Sequence, residues 1–306
     1  MISPIDARAY DPASRPHTDG AAAADLAASL PRLVNRAHEI AASVAYGVHG
    51  RRRAGQGETF WQYRPFTNGE AAHRIDWRRS ARSDQLYVRE REWEAAHDYF
   101  LWMDCSPSMA FASSLAHDDK LSRGVTLGLA LADVLVRGGE RVAALGFTPP
   151  ISARDVIDRL ARALFERAEE ATRFELPPQA PLRPRARVVL ISDFLVEPER
   201  LASRLLQFSN AGASGALLMV IDPSEESLPF SGETMFVDTD GGPAFHAGDA
   251  RSLRDAYAER FDAHREAARA AAQAAGFLFL QHHTDRPAAE AALALAMGLH
   301  GIEEQA

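Results

Sequence analysis

The chain has 306 residues, of which 46% are hydrophobic and 25% are charged, with a net charge of -8. This is an ordinary globular composition for one large domain or two modest ones. A single cysteine, Cys105, excludes an internal disulfide, and no apolar run approaches the roughly 18–20 residues of a membrane span. The first twenty residues lack the apolar core of a signal peptide. We therefore expect a cytoplasmic protein without a membrane span.

The charge is distributed unevenly along the chain. Between Gly47 and Trp93, ten arginines outnumber six acidic residues, and aromatic residues are interleaved with them. Such a stretch can bind single-stranded nucleic acid. The alternative is a folded module whose arginines pair with its own acids and whose aromatic rings form its core. We favour the module and expect no nucleic-acid partner, because the chain is acidic overall and has no nucleic-acid-binding motif.

The N-terminal third is predicted to contain a tail, a helix, a loop and a strand. Residues 1–20 show no periodicity and are predicted to be disordered. Apolar residues at three- and four-residue steps predict a helix over residues 21–46, with Pro31 marking a kink or its true start. A glycine-rich loop follows, and "DQLYVRERE" alternates as a strand does. We group residues 21–97 as one module.

From residue 98 onward, apolar strands alternate with helices. The predicted strands are "YFLWMD", "RVAALGF", "ARVVLISD", "GALLMVID" and "FLFLQHH", with a short edge strand in "TMFVDTDG". Strands that are apolar throughout and are separated by helices indicate a mostly parallel sheet covered on both faces. With right-handed crossovers, this predicts an α/β, doubly wound domain over residues 98–301.

Polar residues follow the first strand of this domain. Asp104, Ser106 and Ser108 alternate in "DCSPSM", so one loop brings a carboxylate and two hydroxyls together. Asp193 ends a second strand, and ligands in doubly wound sheets bind beyond such strand ends. Hard oxygen ligands suit Mg²⁺ or Mn²⁺. The alternative is that these residues only cap the turns and helices that follow.

The "DCSPSM" motif resembles the DxSxS signature of von Willebrand factor type A domains. Asp193 in "LISDF" matches their second strand-end aspartate. The resemblance implies a metal-ion-dependent adhesion site, in which an acidic residue of a protein partner completes the coordination of the metal. Those domains also place a coordinating threonine between the two aspartates, and here Thr148 and Ser152 are both candidates.

The preceding segment, "GQGETFWQYRPFTNGEAAHRIDWRRSARSDQLYVREREWE", is similar to the bacterial family called domain of unknown function 58. Glu70 stands where that family has an aspartate. The resemblance implies a MoxR-type AAA+ ATPase as the partner. The candidate partner-binding residues of this module are Arg51, Arg52, Arg53, Arg64, Glu70, Asp76 and Trp77. Asp76 has a structural alternative, pairing with nearby arginines, and Trp77 has one as a core residue.

These features favour a non-catalytic protein–protein interaction module acting as an adaptor or co-chaperone. The alternative is a metal-dependent hydrolase or phosphoryl-transfer enzyme that uses the strand-end aspartates. We do not expect an enzyme, because the sequence has no G-x-S-x-G elbow and no histidine at an obvious triad position.

Overall fold

A computed structural model describes residues 19–49, 60–67, 70–72, 75–83, 85–91, 96–237 and 244–303. The chain forms two compact units. The sheet unit contains residues up to 48 together with those from 97 onward, and the arginine–aromatic unit contains residues 49–96. Residues 1–18, which make up most of the tail predicted to be disordered, lie outside the described residues.

The elements follow the predicted alternation of strands and helices. In chain order they are α1 (Asp19–His49), β1 (Phe60–Pro65), α2 (Trp77–Ser80), β2 (Tyr87–Arg91), β3 (Asp98–Met103), α3 (Lys120–Arg137), β4 (Arg141–Ala144), α4 (Val156–Glu166), α5 (Ala168–Ala171), β5 (Arg187–Ser192), α6 (Pro198–Asn210), β6 (Ser214–Ile221), α7 (Pro223–Ser227), β7 (Thr234–Phe236), β8 (Phe245–Ala247), α8 (Arg254–Ala274), β9 (Phe277–His283) and α9 (Ala288–Glu303). None of the described helices is both long and apolar enough to cross a membrane.

The sheet unit is built on a five-stranded parallel sheet with the order β4-β3-β5-β6-β9. Chain order reverses at β3, because β4 lies on one side of it and β5 on the other. This is the switch point at which doubly wound sheets open a crevice beyond the carboxyl ends of their strands. The loops after β3 and β5 therefore meet at one edge, and we call this the carboxyl edge.

Both faces of the sheet are covered. Side chains of α1, α3, α4 and α9 share one apolar core with β3, and α6 and α8 close the opposite face. Strand β5 is buried along its whole length. Burial on both faces explains why the strands read as continuous apolar runs, and it confirms the predicted mixed α/β architecture.

Helix α1 differs from its prediction in extent and in grouping. It runs through Pro31 without ending there and is longer than the predicted 21–46. The sequence grouped it with residues up to 97. Its buried residues Leu26, Leu33 and Ala37 instead belong to the core of the sheet unit. Packing of these apolar residues, more than position in the sequence, decides which unit α1 belongs to. An amphipathic helix is stabilised mainly by packing its apolar face.

The arginine–aromatic unit contains an antiparallel pair, β1 and β2. Strand β2 confirms the strand predicted in "DQLYVRERE", whereas β1 was not predicted. The side chain of Arg79 lies 5.5 Å from the ring centroid of Tyr63 and 5.3 Å from that of Tyr87. Cation–π contacts of this kind link α2 to both strands.

Candidate functional site at the carboxyl edge

Three oxygen-bearing side chains converge in the loop after β3. Asp104 is buried, and its Oδ1 accepts a hydrogen bond from the backbone N–H of Ser106 at 2.8 Å. The hydroxyls of Ser106 and Ser108 lie 3.2 Å apart. The hydroxyl of Ser192, the last residue of β5, donates to Asp104 Oδ2 at 2.6 Å. The loop and the neighbouring strand therefore hold the Asp104 carboxylate in one orientation.

Asp193 follows β5 at the same edge and is paired with a buried lysine. Lys120, the first residue of α3, donates from Nζ to Asp193 Oδ2 at 2.8 Å and also to Glu225 Oε1. The other oxygen of Asp193 accepts from the backbone N–H of Leu195 at 3.2 Å. Both carboxylate oxygens of Asp193 are thus engaged within the chain.

A third strand, β6, also ends in an aspartate. Asp222 is fully buried and accepts from the N–H of Ser224 at 2.8 Å and from the N–H of Ser113 at 2.7 Å. It caps α7, and the backbone N–H of Asp222 in turn donates to Glu225 Oε2 at 2.9 Å. This capping box fixes Glu225 where Lys120 reaches it, and Asp222 anchors the loop that precedes α3.

The carboxyl edge carries excess negative charge. Burial, together with the nearby charge of Asp193, raises the pKa of Asp104 to about 7. Burial also raises the pKa of Glu225, although Lys120 opposes the change. Burial alone would lower the pKa of Lys120, but its two carboxylate partners raise it. The ammonium of Lys120 therefore pairs with both Asp193 and Glu225. A buried carboxylate without a cation is costly to ionise.

The predicted metal ligands are placed as follows. Asp104, Ser106 and Ser108 come together, and Asp193 lies at the adjoining strand end. Thr148 follows β4, on the other side of β3, and its hydroxyl accepts from the N–H of Ala144 at 2.9 Å. Among the described residues, no cluster of three or more His, Cys, Asp or Glu side chains could hold a metal ion. A cation at this edge would therefore depend on the serine hydroxyls.

The candidate partner-binding residues belong to the arginine–aromatic unit. Arg51, Arg52 and Arg53 lie outside the described residues. Arg64 binds Glu70 through both guanidinium nitrogens, at 3.0 and 2.5 Å. The side chain of Glu70, which is longer than the aspartate of the family, thus forms an ion pair within this unit.

The structure gives Asp76 and Trp77 roles that differ from the structural roles suggested by the sequence. Asp76 caps α2 by accepting from the backbone N–H of Arg79 at 2.9 Å. Its structural role therefore uses a backbone amide, whereas the sequence suggested guanidinium groups. Trp77 is 62% exposed, so the expectation that it is a core residue is wrong. At position 77, the first residue of α2, its ring points to solvent.

Sequence reasoning missed Lys120, Asp222 and Glu225. Each has a signal in the sequence. Lys120 is the only lysine among 34 lysines and arginines, and Asp222 follows an apolar strand just as Asp104 and Asp193 do. Glu225 stands three residues after Asp222, which is the spacing of a capping box.

The chain is similar in sequence to known proteins. The uncharacterized proteins Rv1480 and MT1527 of Mycobacterium tuberculosis and Mb1516 of Mycobacterium bovis are each 26% identical over 275 residues, covering 85% of this chain and 86% of theirs. The crystal structure of an uncharacterized membrane spanning protein from Vibrio fischeri is 15% identical and covers 66% of this chain and 98% of its own, with a TM-score of 0.17. Residues 62–267 match the family described as protein of unknown function DUF58, and the chain belongs to that family.

Proposed function

We propose that the carboxyl edge is a cation-dependent docking site, at which a divalent metal ion joins Asp104 to an acidic residue of a partner protein. The observation that carries this proposal is the state of Asp104. It is buried beside two hydroxyls, and no described arginine, lysine or histidine forms an ion pair with it. A buried carboxylate of this kind is stabilised by a cation.

The residues at this edge fit a hard divalent ion. Asp104, Ser106 and Ser108 supply carboxylate and hydroxyl oxygens, which are the ligands that Mg²⁺ and Mn²⁺ prefer. The ion would neutralise the local negative charge and offer an open coordination position to a carboxylate. Without it, the acids at this edge would repel an acidic partner. Asp193 is already paired with Lys120 and lies at the adjoining strand end.

The docking role is favoured over the enzymatic alternative by the charge around Asp104. A hydrolase or phosphoryl-transfer site needs cations that hold the phosphate oxygens. The ammonium of Lys120 lies at this edge, and Asp193 and Glu225 already pair with it. A phosphate would therefore depend on the metal ion alone, whereas the single carboxylate of a docking partner needs no further cation.

The proposed partner class follows from sequence resemblance. Asp104, Ser106 and Ser108 keep the DxSxS order of von Willebrand factor type A domains, directly after the strand at the switch point. We propose a type A-like domain that works in the cytoplasm as an adaptor or co-chaperone for a MoxR-type AAA+ ATPase. This step is an analogy, because function depends on sites and does not follow from fold alone.

Metal titration tests the proposal directly. Chelator-treated protein is titrated with Mn²⁺ by calorimetry, alongside Asp104→Asn, Ser106→Ala and the matched control Ser114→Ala, which changes an exposed serine of the next loop. We expect saturable binding that Asp104→Asn abolishes, Ser106→Ala weakens and Ser114→Ala leaves unchanged. No binding to the wild type would overturn the proposal.

Partner binding is tested with the AAA+ ATPase from the same genome. Capture of the ATPase should require Mg²⁺ or Mn²⁺, should be lost in chelator and should be lost in Asp104→Asn. Turnover of a phosphate ester that disappears in Asp104→Asn would instead favour the hydrolase. Capture that persists in chelator but weakens with salt would move the docking surface to the arginine–aromatic unit.

A further inference from the structure

The only lysine of the chain is buried at the candidate site. The chain has 34 lysines and arginines, and all of them except Lys120 are arginine. Lys120 is the first residue of α3, and its side chain is only 1% exposed. Lysines are almost never fully buried unless they are paired. A compact ammonium fits between two carboxylates where a planar guanidinium would need a wider fork. The position therefore uses a property that is specific to lysine.

Both partners of Lys120 are held in place independently of it. Asp193 accepts from the N–H of Leu195, and Glu225 accepts from the N–H of Asp222 in the capping box of α7. The ring centroid of Phe111 lies 5.8 Å from the ammonium, on the loop before α3. The carboxylates thus form a pre-built socket between the ends of β5 and β6, and Lys120 fills it.

We propose that Lys120 is a positioning residue that serves as the permanent cation of the carboxyl edge. It withholds Asp193 and Glu225 from an exchangeable metal ion and confines that ion to Asp104, Ser106 and Ser108. The inference rests on the proposed function, because it divides that site into a fixed half and an exchangeable half. The fixed half holds Asp193 through an ammonium that cannot dissociate from the chain.

This division has a consequence for metal affinity. An ammonium close to a divalent ion repels it, and it also occupies an oxygen that could otherwise bind the ion. Removing Lys120 alone would change both the charge and the ligand supply. The double variant Lys120→Met/Glu225→Gln removes one positive and one negative charge, so it releases Asp193 while leaving the net charge unchanged.

The experiment is a Mn²⁺ titration of chelator-treated full-length protein. The wild type is compared with Lys120→Met/Glu225→Gln, with the same double variant carrying Asp193→Asn, and with Lys120→Arg, which keeps the positive charge. We expect the double variant to bind Mn²⁺ at least about tenfold more tightly than the wild type. The added Asp193→Asn should remove this gain, and Lys120→Arg should show none.

The outcomes separate the inference from the proposed function. If the wild type binds Mn²⁺ and the double variant binds it equally well, the inference is overturned and the docking proposal stands. If only the double variant binds, the inference is supported and the docking proposal fails for the natural chain. If neither binds, both fail.

A folding defect in the double variant would be equally informative. In that case the chelated variant is monitored by near-ultraviolet circular dichroism while Mn²⁺ is added, with potassium chloride at the same ionic strength as a control. Refolding by Mn²⁺ alone shows that a metal ion replaces the ammonium, which supports the inference. Failure to refold shows that Lys120 has only a structural role, which overturns it.

Discussion

The hydroxyl of Ser192, at the end of β5, donates to the carboxylate of Asp104, which follows β3, across a distance of 2.6 Å. Asp104 also accepts from the N–H of Ser106 at 2.8 Å, so both of its oxygens are oriented by the chain. Orientation does not neutralise the carboxylate. Burial, reinforced by Asp193, still raises its pKa to about 7. The charge at the switch point of the sheet therefore depends on pH or on a bound cation.

This dependence predicts an unusual effect of Asp104→Asn. Because the pKa of Asp104 is higher in the folded protein than in the unfolded chain, its contribution to stability is fully present below about pH 4 and is lost as pH rises through about 7. In chelator at pH 8, the variant should be more stable than the wild type by roughly 2–4 kcal/mol. At pH 4.5 the difference should shrink to about 1 kcal/mol or less.

Urea denaturation at both pH values measures this difference, with and without Mn²⁺. Added Mn²⁺ should stabilise the wild type at pH 8 and leave the variant unchanged, because only the wild type keeps the carboxylate. A variant that is less stable than the wild type at pH 8 in chelator would show that Asp104 is already neutralised within the chain.

A second prediction concerns Asp222, which joins two loops of the carboxyl edge. Replacement by Ala leaves the N–H groups of Ser113, which is partly buried, and of Ser224, which is buried, without their acceptor. We expect a loss of about 2–4 kcal/mol of stability, since each buried unsatisfied donor costs about 1–3 kcal/mol. Asp222→Asn keeps one acceptor oxygen and should cost about half as much. Hydrogen exchange at Ser113 should accelerate in both variants, and unchanged exchange would contradict the anchoring role.

The sequence predicted the strands of the sheet better than it predicted the contacts at the carboxyl edge. Continuous apolar runs mark strands that are buried on both faces. The sequence brought Asp193 close to Asp104 only on the condition that their strands are neighbours, and the structure shows that β3 and β5 are paired. Lys120 meets Asp193 and Glu225 across 73 and 105 residues. Periodicity carries no information about pairs so far apart in sequence. These contacts depend on strand order, which the sequence alone did not determine.

The burial of α1 and the presence of β1 were missed for a related reason. The apolar stripe of α1 shows that it packs against something, but it does not say against which unit. Strand β1, "FWQYRP", is short and mixes aromatic, polar and proline residues, so its alternation is weak. It is defined by pairing with β2, which follows it by some twenty residues.

A third prediction tests how closely the central strands approach. Gly215 in β6 lies opposite Val188 of β5, and a Cβ at this position would overlap the carbonyl oxygen of Val188. Because the obstacle is backbone in the middle of the sheet, Gly215→Ala should destabilise the protein by at least about 2 kcal/mol. Gly248→Ala is the matched control, since an added Cβ there meets no described atom within 4 Å. Equal denaturation midpoints for the two variants would contradict this packing.

The final prediction concerns the attachment of α1 to the loop before α3. Arg36 of α1 binds Asp118 through two guanidinium nitrogens, at 2.5 and 2.7 Å, and Asp118 also accepts from Arg123 at 2.9 Å. Burial opposes ionisation of Asp118, but the hydrogen bonds from the two arginines outweigh it and lower its pKa. The bidentate pair is thus a charged link between α1 and the segment that leads to Lys120.

Arg36→Met keeps the aliphatic stem and removes this link. We expect a loss of about 1–2 kcal/mol, because charge-assisted bidentate bonds to a partly buried carboxylate are among the stronger hydrogen bonds. Arg159→Met removes an exposed pair with Asp155 and should cause no measurable change. Hydrogen exchange over residues 19–49 should accelerate in Arg36→Met alone. If both variants behave alike, α1 is held by its apolar stripe without help from the ion pair, and changes in α1 would not reach the carboxyl edge through Asp118.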